Sequence, residues 1–445
     1  MTRRFAGWVA SFLALFVLAV VRPVWAHAAP HSILLLDLHA SEVSAELRLP
    51  VAELEAALDR PLALEGQGRV VRERDTLSAL VSRDLQLFSS DGAAWTIGVL
   101  GITRALDDQG EEVVAQLRLT PAPNHSVRTF RIVNDVIGRQ IANHSTWIGL
   151  RRDFAQGFVT GPPTLLGITH YLHHTLLVER GAGGVLPGFR ALFQLGMQHI
   201  AQGTDHLLFL FALLLPAPLL LVRTAPGGAR WGHAAGVRSA VVNVLRVVTA
   251  FTLGHSLTLL LGSAGWLRLP SAPVETLIAV SILCSAAHAF RPLFPGREAW
   301  VAAGFGLVHG LAFAGALSEL ELEPGRFALA LLGFNLGIEA MQLSVLALTF
   351  PWLLLLAATR AYAPFRVAGA VVAGGAAIAW IAERAFHLPT PVDLVANALT
   401  VHPLVALSGL AVTALVAQAF DRLKSDPLAR RVAVSSNGGL HPPGA

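Results

Sequence analysis

The stretch His199-Ile-Ala-Gln-Gly203-Thr-Asp205-His206-Leu-Leu-Phe209-Leu-Phe-Ala-Leu-Leu-Leu215 decides how this chain is read. Two histidines, an aspartate and a glycine run directly into an unbroken apolar segment. Such a segment is a candidate membrane helix. An ionisable side chain inside a bilayer costs roughly 2.5–3.5 kcal/mol or more, so the few that occur there mark function by default. Spacing sharpens the question. On a straight helix His199 and His206 lie near one face but about 10 Å apart along the axis, too far to share an ion. Asp205 and His206 diverge by about 100°. Either Gly203 breaks the helix, or His199 serves a second site. A break would expose backbone that lines a cavity, which membrane transporters tolerate.

Composition supports a membrane reading outward from that stretch. Of 445 residues, 54% are hydrophobic and 14% charged, against about 25% charged in ordinary soluble proteins. The chain is therefore neither disordered nor a wholly soluble enzyme. Cys284 is the single cysteine, which excludes an intramolecular disulfide and any Cys-rich zinc or iron–sulfur centre. Residues 27–185 hold 14 Arg and 18 acidic residues, whereas the rest of the chain is basic. These basic residues fall between apolar segments, the pattern of membrane topology rather than of a nucleic-acid footprint.

Residues 1–26 read as a signal peptide. Arg3 and Arg4 precede an apolar run from Phe5 to Val21, and Val24-Trp25-Ala26 offers a cleavage site. Residues 27–160 are expected to form an exported β-rich, sandwich-like domain. Its alternating runs lie at 32–36, 43–49, 113–119 and 128–133, with a short helix at 50–59. Residues 161–188, glycine- and proline-bounded, read as a linker. Residues 189–422 are expected to form an all-α membrane domain of about seven spans, near 203–222, 239–262, 273–290, 299–318, 327–350, 365–382 and 398–419. Segment 189–202 is read as an amphipathic or re-entrant helix, and residues 423–445 as a disordered cytoplasmic tail. With the β-rich domain outside, twelve basic residues fall on the inside and three on the outside. The expected location is thus the inner (plasma) membrane, with the N-terminal domain periplasmic and the C-terminus cytoplasmic. No period signals a repeat array.

The spans carry His199, Asp205, His206, His255, Glu275, His288, His309, Asn335 and Glu339. All of these except His288 are taken as candidate metal ligands. Topology orders them as a ladder, with the His199–His206 group, His255 and Glu275 near the outer side, His309 and Glu339 near mid-membrane, and His288 near the inner face. His288 reads equally well as an interfacial histidine, and Glu275 also has an interfacial reading. Imidazole and carboxylate without thiolate suit divalent Ni, Co, Zn or Cu. Accessory metal candidates are His27, which cleavage after Ala26 would make the N-terminus, and His31, together with the linker residues His170, His173 and His174. Gly306 and Gly310 read as close-packing residues. No Walker motif is present, so no ATP site of that kind is expected.

Four strings carry a resemblance. They are Gly196-Met-Gln-His199-Ile-Ala-Gln-Gly203-Thr-Asp205-His206-Leu-Leu-Phe209, Phe251-Thr-Leu-Gly-His255-Ser-Leu-Thr-Leu259, Phe305-Gly-Leu-Val-His309-Gly-Leu-Ala-Phe313 and Phe334-Asn-Leu-Gly-Ile-Glu339-Ala-Met-Gln342. In this order, over roughly 190–350, they resemble the HupE/UreJ family, and the exported domain places the chain with its extended branch. The resemblance implies a nickel permease of the kind tied to hydrogenase and urease maturation. Its metal pathway would comprise His199, Asp205, His206, His255, His309 and Glu339. The expected activity is permeation of a divalent transition-metal ion, Ni or Co first and Zn or Cu next. The lipid bilayer is one partner, and a periplasmic metal donor or a cytoplasmic metallochaperone is another. An intramembrane zinc hydrolase is the competing reading, and a haem-binding membrane redox protein a third.

Overall fold

The computed structural model describes residues 31–62, 73–107, 110–224, 228–267, 269–318, 320, 322–392 and 403–425. The expected signal peptide, His27, and the tail beyond Ser425 lie outside them. The chain divides into two units, one of residues 1–151 and 162–180, the other of residues 152–161 and 181–445.

The first unit is β-rich. Its strands are β1 (Ser32–Leu38), β2 (Val43–Pro50), β3 (Leu85–Ser89), β4 (Thr96–Asp107), β5 (Gly110–Thr120), β6 (Thr129–Asn134), β7 (Ser145–Asp153, extending just past the unit's edge), β8 (Thr164–His170) and β9 (Thr175–Glu179). Helices α1 (Val51–Leu58) and α2 (Arg74–Asp84) intervene. One sheet runs β4-β5-β2-β1-β7-β8 and a second β3-β6-β9. Side chains alternate between sheet faces, so Leu34, Leu36 and Leu38 of β1 face one way, register with Leu47, Ala45 and Val43 of β2, and are buried. Leu85, Leu87, Phe130, Ile132 and Val178 of the second sheet join the same core. On the opposite face of the first sheet Arg151 bonds Asp37 (2.6 Å) and Glu46 (3.1 Å). The hydrogen bonds to Asp37 raise the Arg151 pKa further above its ordinary value.

The segment expected to be a linker is instead largely strand. β8 and β9 occupy 164–170 and 175–179. Their apolar runs are short and framed by Gly and Pro, which hid the alternation.

The second unit is helical. It comprises α3 (Val185–Gln202), α4 (Thr204–Leu214), α5 (Val237–Ser263), α6 (Ser271–Phe290), α7 (Glu298–Ser318), α8 (Pro324–Ala357), α9 (Tyr362–Phe386) and α10 (Pro403–Ser425). Among the described residues five helices are long and apolar enough to cross a membrane: α5, α6, α8, α9 and the Pro403–Leu423 part of α10. Thr204–Leu214 and Glu298–Phe313 are shorter apolar helices. The expected span at 203–222 is therefore corrected. Helix α4 stops at Leu214, and β10 (Leu219–Thr224) pairs with β11 (Gly228–Ala234) as a hairpin. Pro216 and Pro218 supply the reason, since proline lacks the amide proton that would continue the helix. Segment 189–202, read as an amphipathic or re-entrant helix, belongs to α3 and leads into α4 through Gly203.

Two helix pairs organise the unit, and glycine sets both. A Cβ on Gly196 would run into the Phe334 carbonyl oxygen, and one on Gly337 into that of Phe193, so α3 and α8 touch backbone to backbone. Likewise Gly254 meets the Ala303 carbonyl and Gly306 that of Phe251, locking α5 to α7. The contacts advance together along each pair, so the partners run parallel. Small residues permit such approach between membrane helices. A short sequence motif underlies it, Phe193-Gln-Leu-Gly196, Phe251-Thr-Leu-Gly254 and Phe334-Asn-Leu-Gly337, with Ala303-Gly-Phe-Gly306 as a fourth, looser copy. These copies lie at irregular intervals, so a search for a fixed period passes over them.

A candidate metal site in the helical unit

The helix breaks at Gly203, where φ is −73° and ψ 97°. A Cβ there would press on the His199 carbonyl, the His206 ring and the Asp205 carboxylate. The break folds His206 back towards His199, and their ring centroids lie 4.6 Å apart. Of the two alternatives left by helix spacing, the structure takes the broken helix.

His255 from α5 and His309 from α7 complete the group. His309 lies 5.1 Å from His206, and His255 lies 6.2 Å from His199 and 6.4 Å from His206. Gly310 on the His255 carbonyl and Gly306 beside the His255 amide hold the backbones that bring these residues together. With ligand nitrogens about 2.0–2.1 Å from an ion, two imidazole centroids sharing it lie at most roughly 6.4 Å apart, so His199 and His309 each stand within that reach of His206, and His255 stands at its edge. Among the described residues, no group of three His, Cys, Asp or Glu side chains is placed to hold one metal ion. The ring pairs about His206 are steeply inclined, by 66°, 82° and 73°.

Hydrogen bonding assigns the lone pairs. Asp205 Oδ1 accepts from the His206 amide and from His206 Nδ1, each at 2.8 Å. An ionised carboxylate only accepts, so Nδ1 carries the proton and Nε2 the lone pair. His309 is fixed in the converse way. Ser281 Oγ donates to the Ile278 carbonyl at 2.7 Å, so it accepts from His309 Nε2 at 2.9 Å and leaves the lone pair on Nδ1. His199 Nε2, His206 Nε2, His309 Nδ1 and both nitrogens of His255 are buried without a partner. Buried polar atoms are nearly always paired, and a group of orphans calls for an unseen ligand or water.

Apolar rings close the group on two sides. Phe313 and Phe334 stack 4.6 Å apart beside His199. Phe209 and Phe251, 4.9 Å apart, each stand 5.1 Å from His309. These phenylalanines escaped the sequence reading. The signal for one was present, because Phe305, His309 and Phe313 recur at intervals of four on α7 and so share a helix face.

The remaining candidates lie elsewhere. Glu339 accepts from Thr249 at 3.2 Å, and its Oε2 is buried without a partner. Asn335 accepts from Ser256 at 2.7 Å, and Gln342 accepts from Thr252 at 2.9 Å. Together they form a polar seam between α5 and α8. Glu275 stands 3.6 Å from Arg384 and is 45% exposed, an ion pair rather than a member of the histidine group. The expected ladder is thus redrawn: His309 joins His199, His206 and His255 on one level, and Glu339 forms a separate one.

In the β-rich unit His31 stacks on Trp147 at 4.3 Å, His170 and His173 face each other at 4.9 Å across a tight turn, and His174 lies 3.4 Å from Asp135. His144, not singled out from sequence, bonds Ser32 Oγ through Nε2 at 2.8 Å and Glu53 through Nδ1. Ser32 and His144 are buried, so this Ser–His–Glu chain clasps β1 to α1 out of reach of a substrate. Burial lowers the His144 pKa below its ordinary value.

A helical membrane unit with a buried histidine group on broken and glycine-locked helices defines the class, a polytopic membrane protein. Residues 179–384 match the model of the HupE / UreJ protein family, to which the helical unit is therefore similar. The match takes in α3 to α8 and most of α9, with all four histidines, and leaves out most of the β-rich unit and α10. No curated protein and no solved structure matches the chain.

Proposed function

We propose that the protein is a permease for a divalent transition-metal ion, with nickel or cobalt the leading substrates, as similarity to a family associated with nickel and cobalt transport suggests. One observation carries this reading. Asp205 fixes the proton of His206 on Nδ1, so its buried Nε2 presents a lone pair beside three other imidazoles whose own nitrogens lack partners. A carboxylate behind a ligating histidine raises its basicity and orients it, and neutral imidazole suits these ions better than it suits Mg or Ca.

In this reading α3 and α4 form one broken crossing. With α7 they bring the five long helices to seven crossings, in the inner membrane, with the β-rich unit periplasmic and the C-terminus cytoplasmic. The ion exchanges ligands between His199, His206, His255 and His309, then passes to the level of Glu339 and Asn335. The phenylalanine pairs separate the histidine group from both mouths. His31, His170, His173 and His174 are candidate capture ligands on the outer side, supplied by a periplasmic donor, and a metallochaperone receives the ion inside.

The test is ion flux into proteoliposomes across Ni, Co, Zn, Cu, Fe and Mn, for wild type and Asp205→Asn. Selective flux that disappears in the variant is the expected result. Equal flux in both, with the variant correctly folded, removes the site, and no flux of any ion removes the permease reading.

A further inference from the structure

His288, in the last turn of α6, lies outside the histidine group and has the opposite hydrogen bonding. Its Nδ1 accepts the backbone amide of Leu293 at 3.1 Å. A backbone amide only donates, so Nδ1 holds the lone pair and Nε2 bears the proton. Nε2 is buried and has no partner among the described residues. Two aromatic rings fix the imidazole further. It lies flat on Phe294 (3.9 Å, 6°), meets the edge of Trp231 (5.2 Å, 85°), and Trp231 Nε1 donates to the His288 carbonyl at 3.1 Å. His288 therefore offers an N–H to its surroundings, where a metal would need a lone pair. That takes it out of the ion path.

His288 borders a cavity of about 350 Å³, whose wall also includes Trp231, Ser239, Asn243, Arg246 and Glu298. Ser239, Asn243 and Arg246 recur at intervals of four and three on α5, which puts them on one helix face. Arg246 is nine residues into α5, about 13 Å along its axis. A cation at that depth of an apolar helix is costly unless it meets a counter-charge or water. No described residue pairs with it. Glu298, the acidic member among the described lining residues, uses Oε1 to accept the Gly296 amide at 3.0 Å.

An unpaired guanidinium in a cavity that the His288 residue borders complements an oxyanion, with Ser239 and Asn243 as neutral donors. We propose that this cavity is a binding site for a phosphate group, either free inorganic phosphate or the headgroup phosphate of an anionic lipid.

The experiment uses the full chain in neutral detergent, without added metal, and follows thermal unfolding at constant ionic strength. One arm replaces chloride with inorganic phosphate, and the other compares phosphatidylglycerol with phosphatidylcholine in mixed micelles. The expected result is a saturable rise in Tm in one arm, which also identifies the source of the phosphate. Arg246→Gln, on an exposed part of the helix, weakens the apparent affinity about tenfold, as loss of one charge-assisted hydrogen bond predicts. His288→Gln is the second variant and is judged only if its Tm without ligand matches wild type. The proposal is overturned if neither arm raises Tm, or if Arg246→Gln responds as wild type does. The assay holds no transported ion, so its outcome and that of the flux experiment are independent.

Discussion

His206 and His288 sit in the same helical unit, and each is held through Nδ1, yet they are opposite devices. At His206 the partner is a carboxylate, Nδ1 donates, and the free nitrogen is a base. At His288 the partner is a backbone amide, Nδ1 accepts, and the free nitrogen is an acid. Both are buried histidines; the atom on the far side of the ring decides whether the other nitrogen presents a lone pair or an N–H. A histidine in an apolar segment is thus an incomplete statement until its second nitrogen is accounted for.

The strongest way to break this contrast is to remove the carboxylate. Asp205→Asn takes away the obligate acceptor, and ion flux is expected to fall about 100-fold, the upper range for loss of a ligand-orienting partner, with the protein still monodisperse. Unchanged flux would mean that the His206 tautomer carries no function. Gly306→Val tests the frame that holds the rings. Its side chain would drive into the Phe251 carbonyl, and overpacking of this kind costs about 1–3 kcal/mol or more. The monodisperse yield after extraction should collapse, whereas Gly304→Ala, with nothing within 4 Å of its added carbon, should match wild type.

Ser281→Ala sharpens the comparison from the His309 side. It removes the acceptor that keeps the proton on Nε2, and flux should fall about tenfold. A fourth test moves to His144 in the β-rich unit, where burial depresses the folded pKa. The unfolded chain then takes up the proton more readily, from about pH 6.5 downward. Stability from this clasp is complete above that value and declines as the pH falls through it. The hydrogen-exchange protection of peptides covering 32–38 and 51–58, corrected for the pH dependence of the intrinsic rate, should fall between pH 7 and 5, and His144→Gln should abolish that trend. His125 works in the opposite sense, since its bond to Asp91 raises its pKa, but it is surface-exposed and far from these peptides in sequence. The smallest effect is expected for Glu275→Gln, because Glu275 is paired with Arg384 and partly exposed. Flux should stay within about twofold of wild type, as for an ordinary exposed ion pair, and a large loss would return Glu275 to the ion path.

Much of the site was legible in the sequence, and particular residues show where legibility stopped. Gly203 between His199 and Asp205 announced the possible break, and Gly306 and Gly310 announced close packing. The meeting of His309 with His206 was hidden, because helix periodicity gives a residue's face and depth but not which neighbouring helix that face meets. Tautomers were hidden for the same reason, since Ser281 and Leu293 reveal themselves only in space. In the fold, four of the nine strands among the described residues of the β-rich unit followed from alternation. Strands β8 and β9 were lost between glycines and prolines, and Pro216 and Pro218 were passed over because the leucines around them kept the hydropathy high.

The glycine contacts divide the four imidazoles mechanically. His255 and His309 ride on α5 and α7, which are clamped backbone to backbone, so the distance between those two is the span of a rigid gauge. His199 belongs to the other clamped pair, and His206 hangs from the hinge just beyond it. Sliding one pair against the other would change the spacing from His199 to His255 and leave the His255–His309 spacing alone. The histidine group is then a vice with one fixed jaw, whose opening is governed at places that carry no side chain at all.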